Sequence, residues 1–331
     1  MRAVRIEQPG SPSGLRIAEV EDPVPGTGEV LVEVRASALN RADWLQVLGK
    51  YPPPPGVRED IPGMEYAGTV RATGPGVRRL RAGDRVMGLV GGAAFAEQLV
   101  APERQTLSTP ERLTLEEAAA IPEAFLTAFD ALVLQGGMTA GERVLVHAIA
   151  SGVGTAAAQL VRATGAELLG TGRQAEKLER VRALVPFTPL VVDRDEVRFA
   201  DRVLEATGGQ GVDLVLDLVG GRYLSESVAC LAPRGRILAV GTVDGARSEL
   251  DLRLVLGKRA RITGTVLRAR PPEEKMALAQ TAERLLVPLF ARGLLRPVID
   301  ATFPMEDIRA ALERMVTDAN VGKLVLRWGA A

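Results

Sequence analysis

The sequence predicts an α/β protein in two parts, a small β-rich domain and a doubly wound parallel sheet with helices on both faces. Up to about residue 122 the chain reads as short alternating segments cut by glycine and proline turns. From about residue 123 apolar strand-like runs alternate with helical stretches, the pattern of a buried parallel sheet. The length, 331 residues, exceeds one ordinary core and suits two domains.

In the first part, Val30-Leu-Val-Glu-Val-Arg alternates with period two and Tyr66-Ala-Gly-Thr-Val-Arg reads as another strand. Asp22-Pro23, Pro25-Gly26, the cluster from Pro52 to Gly56, Gly74-Pro75-Gly76 and Gly83-Asp84 mark turns, and the proline run reads as a rigid loop. In the second part, strands are predicted at Arg143-Val-Leu-Val-His-Ala, Glu167-Leu-Leu-Gly-Thr, Leu190-Val-Val-Asp, Asp213-Leu-Val-Leu-Asp-Leu-Val and Arg236-Ile-Leu-Ala-Val. Arg261-Ile-Thr-Gly-Thr-Val makes a sixth. Helices are expected from Thr155 to Ala163 and from about Gln174 to Leu184. From about residue 294 strand and helix return, either as an appendage or as a return to the first domain.

Composition narrows the function classes. Apolar residues at 47% and charged residues at 25% describe a soluble globular protein. Net charge is zero and no basic run is interleaved with aromatics, so neither nucleic acid nor an anionic membrane is an expected partner. The charged, alternating N-terminal segment reads as neither signal peptide nor membrane anchor. A single cysteine, Cys230, leaves no intrachain disulfide and fits the cytoplasm.

The turn after the first strand of the second part reads Ile149-Ala150-Ser151-Gly152-Val153-Gly154. Against G-x-G-x-x-G only Gly154 matches, but a strand precedes the turn and an alanine-rich helix follows. Small residues there let a backbone approach a pyrophosphate at the helix N-terminus. At the end of the second strand an NAD enzyme usually carries a carboxylate for the ribose. Here Gly170-Thr-Gly-Arg-Gln-Ala-Glu-Lys has none before Glu176. Arg173 and Lys177 can meet the 2′-phosphate of NADP, or simply face solvent at a helix start.

Ala38-Leu-Asn-Arg-Ala-Asp, Gly49-Lys-Tyr-Pro-Pro-Pro-Pro-Gly, Ala119-Ala-Ile-Pro-Glu-Ala-Phe-Leu-Thr-Ala-Phe, Val146-His-Ala, Ser151-Gly-Val-Gly-Thr-Ala-Ala and Asn320-Val-Gly-Lys-Leu-Val-Leu occur in that order. Together they resemble the quinone oxidoreductase (zeta-crystallin-like) branch of the medium-chain dehydrogenase/reductases, nearest to the tumour-suppressor-inducible type. The resemblance implies a GroES-like catalytic domain (1–122 and 294–331), a Rossmann NADP-binding domain (123–293), and NADPH in the cleft between them. It implies Asn40, Tyr51 and Thr127 near the nicotinamide, and Ser151, Gly152, Val153, Gly154 and Thr155 on the pyrophosphate. It implies Gly172, Arg173 and Lys177 around the adenosine phosphate. Gly220, Gly241, Thr242, Val243, Thr265, Val266, Leu267 and Asn320 would line the rest of the groove. Asp193 departs from the pattern, since the family often has a tyrosine at about that position. The segment Val185-Pro-Phe-Thr-Pro departs too.

Zinc-dependent relatives take their metal from Cys-x-x-Asp and Gly-His-Glu, where this chain has Asn40-Arg-Ala-Asp43 and Gly63-Met64-Glu65. No metal is therefore expected, because His147 and Cys230 cannot supply the usual ligand set. Without a Lewis acid, hydride transfer suits a quinone or enone, whose developing anion is delocalised. Tyr51 is the best candidate for a hydrogen-bond donor there, or else it packs on the cofactor. Asn40 reads as a positioning residue, Asp43 as a helix cap or an orienting group for Asn40. Cys230 reads as buried and His147 as a strand-end residue without catalytic duty. An enoyl-thioester reductase, with Arg268 and Arg270 as basic groups, and a non-catalytic NADPH-binding protein are the alternatives. The resemblance also implies a homodimer joined through edge residues 261–267.

Overall fold

A computed structural model describes residues 1–329. The chain forms two compact units, Met1–Leu126 with Leu267–Ala331, and Thr127–Val266. The first unit opens with an antiparallel hairpin, β1 (Arg2–Ile6) and β2 (Leu15–Glu19). Then come β3 (Glu29–Ala38), β4 (Glu65–Thr73), β5 (Arg85–Leu89), β6 (Gln98–Pro102) and β7 (Thr106–Ser108). The alternation read in β3 is real: Val30, Val32 and Val34 are buried while Glu33 and Arg35 are exposed.

The second unit holds β8 (Arg143–Val146), β9 (Glu167–Gly172), β10 (Thr188–Val191), β11 (Val212–Asp217), β12 (Leu231–Ala239) and β13 (Arg261–Gly264). They form one parallel sheet in the order β10-β9-β8-β11-β12-β13. Strand order reverses between β8 and β11, and such a switch point opens a crevice at the strand C-termini. The two central strands are apolar and buried, with Val144, Leu145, Val146, Leu214, Val215 and Leu216 all inaccessible.

The chain then returns to the first unit as β14 (Ile299–Pro304) and β15 (Lys323–Arg327). β15 pairs antiparallel with β3 and completes a seven-stranded sheet, β14-β15-β3-β4-β5-β7, with β6 also on β3. Residues 267–293 lie in the first unit, although their strand-helix rhythm assigns them to the second. The helix Pro272–Leu285 packs on β7, where the Glu283 carboxylate accepts the Ser108 N–H at 2.9 Å. Leu278, Ala279 and Ala282 of the same helix are buried. Helical periodicity gives no sign of which sheet a helix covers.

Candidate active site

At the end of β8 the chain turns sharply into the helix Gly152–Thr164. The Ser151 Oγ caps this helix by accepting the Gly154 N–H at 3.0 Å. A Cβ on Gly154 would overlap the backbone of Ala148 and Ile149, so the turn tolerates no side chain there. The turns after β11 and β12 are equally close: a Cβ on Gly220, at φ +68°, would lie 2.7 Å from the Gly241 carbonyl oxygen. On Gly172, closing β9, it would lie 2.8 Å from the Leu178 side chain. Bare backbone and a capped helix N-terminus thus meet at the C-terminal edge of the sheet, a surface that fits a dinucleotide pyrophosphate.

Gly152, Val153 and Thr155 form the first turn of that helix, and Thr242 and Val243 follow Gly241 beyond β12. Arg173, next to Gly172, is exposed, and Lys177, in the first turn of the helix Ala175–Arg182, is buried. The Asp193 carboxylate is turned into its own loop, where Oδ1 accepts the Asp195 N–H at 2.7 Å and the Glu196 N–H at 3.3 Å. Those two donors hold it below the ordinary aspartate range. Thr127 lies one turn before a π-helical stretch, Asp130–Gln135, and its Oγ1 is buried without a partner. Thr265 follows β13, with its hydroxyl 2.7 Å from Gln135 Nε2 and 3.2 Å from Asp130 Oδ2; Val266 next to it is half-exposed.

His147 directly follows β8, fully buried between the Thr171 and Ser227 hydroxyls at 2.9 and 2.8 Å. Ser227 donates its own proton to the Tyr223 carbonyl at 2.7 Å. It must therefore accept from Nε2–H, which leaves Nδ1 to accept from Thr171. Burial pushes the imidazole down to about 4, so it is neutral at physiological pH. Cys230 is buried as expected, its thiol pushed up to about 12 by desolvation.

The expected residues Asn40, Tyr51, Leu267 and Asn320 belong to the first unit, the others to the second. Leu267 is buried, and Asn320 Nδ2 donates to the Gly322 carbonyl at 2.7 Å. Asn40 is the N-cap of the helix Arg41–Val47 and the hub of a buried polar cluster. Its Nδ2 donates to Glu65 Oε1 at 2.9 Å, and its Oδ1 accepts from Lys323 Nζ at 2.5 Å. Lys323 also pairs with Glu65 Oε1 at 2.6 Å, with 6% and 0% of the two side chains exposed. Glu65 Oε2 accepts the Glu123 N–H at 2.8 Å, and Asp43 Oδ2 accepts the Asn40 N–H at 2.8 Å. Asp43 thus does both of the things expected of it, closing the helix start and fixing Asn40. Burial lifts the Asp43 carboxyl to about 7. Glu123 is lifted to about 8 by burial and by the nearby Glu65.

Glu65, Glu123 and Lys323 are members of this cluster that sequence reasoning missed. The available signal was a charged residue in an apolar setting, as in Gly322-Lys-Leu-Val-Leu. The cluster does not fit a zinc ion. Lys323 supplies a cation between the Asn40 and Glu65 oxygens, and Met64 offers only a thioether. Among the described residues no group of three or more His, Cys, Asp or Glu is arranged to hold a metal, and no helix is long and apolar enough to cross a membrane.

Tyr51 stands apart from the cluster, half-buried, with the Arg268 guanidinium 5.0 Å from its ring centroid. Burial raises its phenol above the usual range, against the opposing charge of Arg268.

Residues 26–111 match the alcohol dehydrogenase GroES-like domain, and residues 189–326 match a family described as zinc-binding dehydrogenase. The chain is 30% identical to the quinone oxidoreductase of Homo sapiens, over 98% of this chain and 97% of that protein. It is 36% identical to the pikromycin polyketide synthase component PikAII of Streptomyces venezuelae over 93% of this chain, but spans only 8% of that synthase. Among solved structures, Escherichia coli quinone oxidoreductase complexed with NADPH superposes with a TM-score of 0.87 at 27% identity, covering 99% of this chain and 100% of that one. The CurK enoyl reductase superposes with 0.85 at 28% identity, covering 99% of each chain. With the fold, the order of its motifs and a full-length relative in agreement, the chain belongs to the quinone oxidoreductase family of the medium-chain dehydrogenase/reductases.

Proposed function

We propose that the protein is an NADPH-dependent oxidoreductase that reduces quinones or other conjugated carbonyl acceptors without zinc. The observation that carries the reading is Lys323 held between Asn40 and Glu65, a protein cation where zinc-dependent relatives build a metal site. In this reading the first unit is the catalytic domain and the second the cofactor domain. NADPH, when bound, supplies the hydride. Ser151–Thr155 and the glycine turns at Gly172, Gly220 and Gly241 receive the cofactor's backbone, and Thr127, Thr242, Val243, Thr265, Val266, Leu267 and Asn320 line it. Tyr51, protonated at neutral pH, donates a hydrogen bond to the acceptor oxygen as charge develops there. Asn40, fixed at both ends of its amide, positions the nicotinamide side.

NADPH oxidation should be followed with ortho-quinones, simple enones and crotonyl-CoA. Quinone turnover is expected to dominate. A crotonyl-CoA rate that dominates instead would favour an enoyl-thioester reductase, a reading supported by the likeness to the CurK enoyl reductase. No turnover with any acceptor would leave a cofactor-binding protein.

Arg173→Ala should weaken NADPH about ten- to a hundredfold while sparing NADH, because a charge-assisted contact contributes roughly 1.5–3 kcal/mol. Titration with both cofactors checks this, and equal losses would remove Arg173 from the phosphate. Since Asp193 is occupied by its own loop, its carboxylate need not oppose that phosphate.

We also propose a homodimer built on the β13 edge. All four β13 residues are exposed, and the neighbouring helix Leu252–Lys258 buries none of its residues, with Leu252 and Leu256 at 66% and 74% exposure. A second copy of the chain would cover both features. Sedimentation showing a monomer at micromolar concentration would refute it.

A further inference from the structure

Arg268 is only 5% exposed, yet its guanidinium bonds no carboxylate among the described residues. Nε donates to the Gly91 carbonyl at 2.8 Å, Nη1 to the Tyr51 carbonyl at 3.3 Å, and Nη2 to Gln46 Oε1 at 2.5 Å. Gln46 in turn donates to the Glu59 carbonyl at 3.0 Å. One side chain therefore ties the helix before the proline loop, through Gln46, to the residue that opens the loop, Tyr51, and to Gly91 beyond β5, while its guanidinium carbon sits over the Tyr51 ring. The segment Arg268 grips at Gly91 is packed closely against Val57, just after the proline run. A Cβ on Gly91 or Gly92 would come within 3.0 or 2.8 Å of the Val57 side chain.

Burying a charge among neutral acceptors is costly, and neutral hydrogen-bonding groups could tie the same loop. What they would lack is a fixed positive charge beside a phenol. Besides Tyr51, the groups that act on that charge are the carboxyls of Asp43 and Glu123 and the ammonium of Lys275, which donates to the Arg268 carbonyl at 3.4 Å. We propose that Arg268 is a positioning residue for Tyr51, fixing the place of the phenol and strengthening it as a donor through its charge. The inference rests on the reading of Tyr51 as the donor to the acceptor oxygen. Direct stabilisation of a tyrosinate by the cation has the right sign, since Arg268 lowers the Tyr51 phenol while burial and Glu123 raise it.

The test is a cycle of Tyr51→Phe, Arg268→Gln and the double variant, with Arg268→Lys alongside. Quinone-dependent kcat and the KM for NADPH are read from neutral to alkaline pH. Arg268→Gln should lower kcat about ten- to a hundredfold with little change in KM, and move the alkaline limb to higher pH. Arg268→Lys, which keeps the charge but loses the fork, should fall between it and the parent. In the Tyr51→Phe background Arg268→Gln should remove little more. If the two losses multiply in full, or Arg268→Gln leaves kcat and the limb unchanged while Tyr51→Phe lowers kcat, the inference fails and the Tyr51 reading stands. If Tyr51→Phe alone leaves kcat unchanged, both fail. Should Arg268→Gln not fold, the cycle is run with Arg268→Lys, whose kcat loss should vanish in the Tyr51→Phe background; a loss that multiplies in full overturns the inference.

Discussion

Lys323→Met is expected to destabilise the protein by roughly 3–5 kcal/mol, the usual consequence of removing one partner from a buried ion pair. The loss is large because one ammonium serves three acceptors: Glu65 Oε1, Asn40 Oδ1 and the Leu39 carbonyl at 2.7 Å. Without it, a carboxylate with no exposed side-chain surface keeps only the Asn40 and Glu123 donors. Methionine matches the lysine stem in length, so lost packing contributes little. Urea denaturation of the parent and variant measures the difference. Adding Glu65→Gln to Lys323→Met should recover part of it, because the uncompensated charge is gone. A cost below about 1 kcal/mol would mean that the pair behaves like an exposed one, and the zinc-replacing role given to Lys323 would lose its basis.

A second large effect is expected in acid. His147 is held neutral down to about pH 4, whereas in the unfolded chain it takes a proton near 6.5. The unfolded state therefore binds more protons between those values. The contribution of a neutral His147 is complete above pH 6.5 and is lost as pH falls through 4, a change of about 3 kcal/mol. Asp43 and Glu123 act in the opposite direction. Their folded values, about 7 and 8, lie above those of free carboxyls, so acidification through that range favours the folded state. The histidine share is isolated by comparison with His147→Gln, which cannot titrate but can bond Thr171 or Ser227. Denaturation midpoints measured from pH 7.5 to 4 should fall more steeply in the parent than in the variant. Parallel curves would show that His147 protonates without unfolding, contrary to its enclosure.

The cofactor half was the more legible in sequence. Its strands, its glycine turn and the helix behind it are local patterns, and local patterns carry their own periodicity. Even the imperfect fingerprint at Ile149–Gly154 was readable, since Gly154 is the position where a side chain would strike the backbone. The boundaries were less so: the helix expected at Thr155 begins at Gly152, and the strand expected through Val266 ends at Gly264. Both differences arise where a cap or the end of a pairing sets the limit and side-chain pattern does not.

The sequence by itself determined the α/β class, the two-part organisation, the family and the absence of the usual zinc ligands, because these rest on residue type and on neighbours along the chain. Tertiary structure alone decided that β15 closes the first sheet against β3, which brings Lys323 to Asn40 and Glu65. It also decided that Arg268 grips the loop carrying Tyr51, and that Glu123 turns its N–H to Glu65. These partners lie far apart along the chain, and no period or spacing encodes which buried charge will find which. Their pairing follows from burial, since a charge enclosed away from water is tolerable only where the fold supplies its partner.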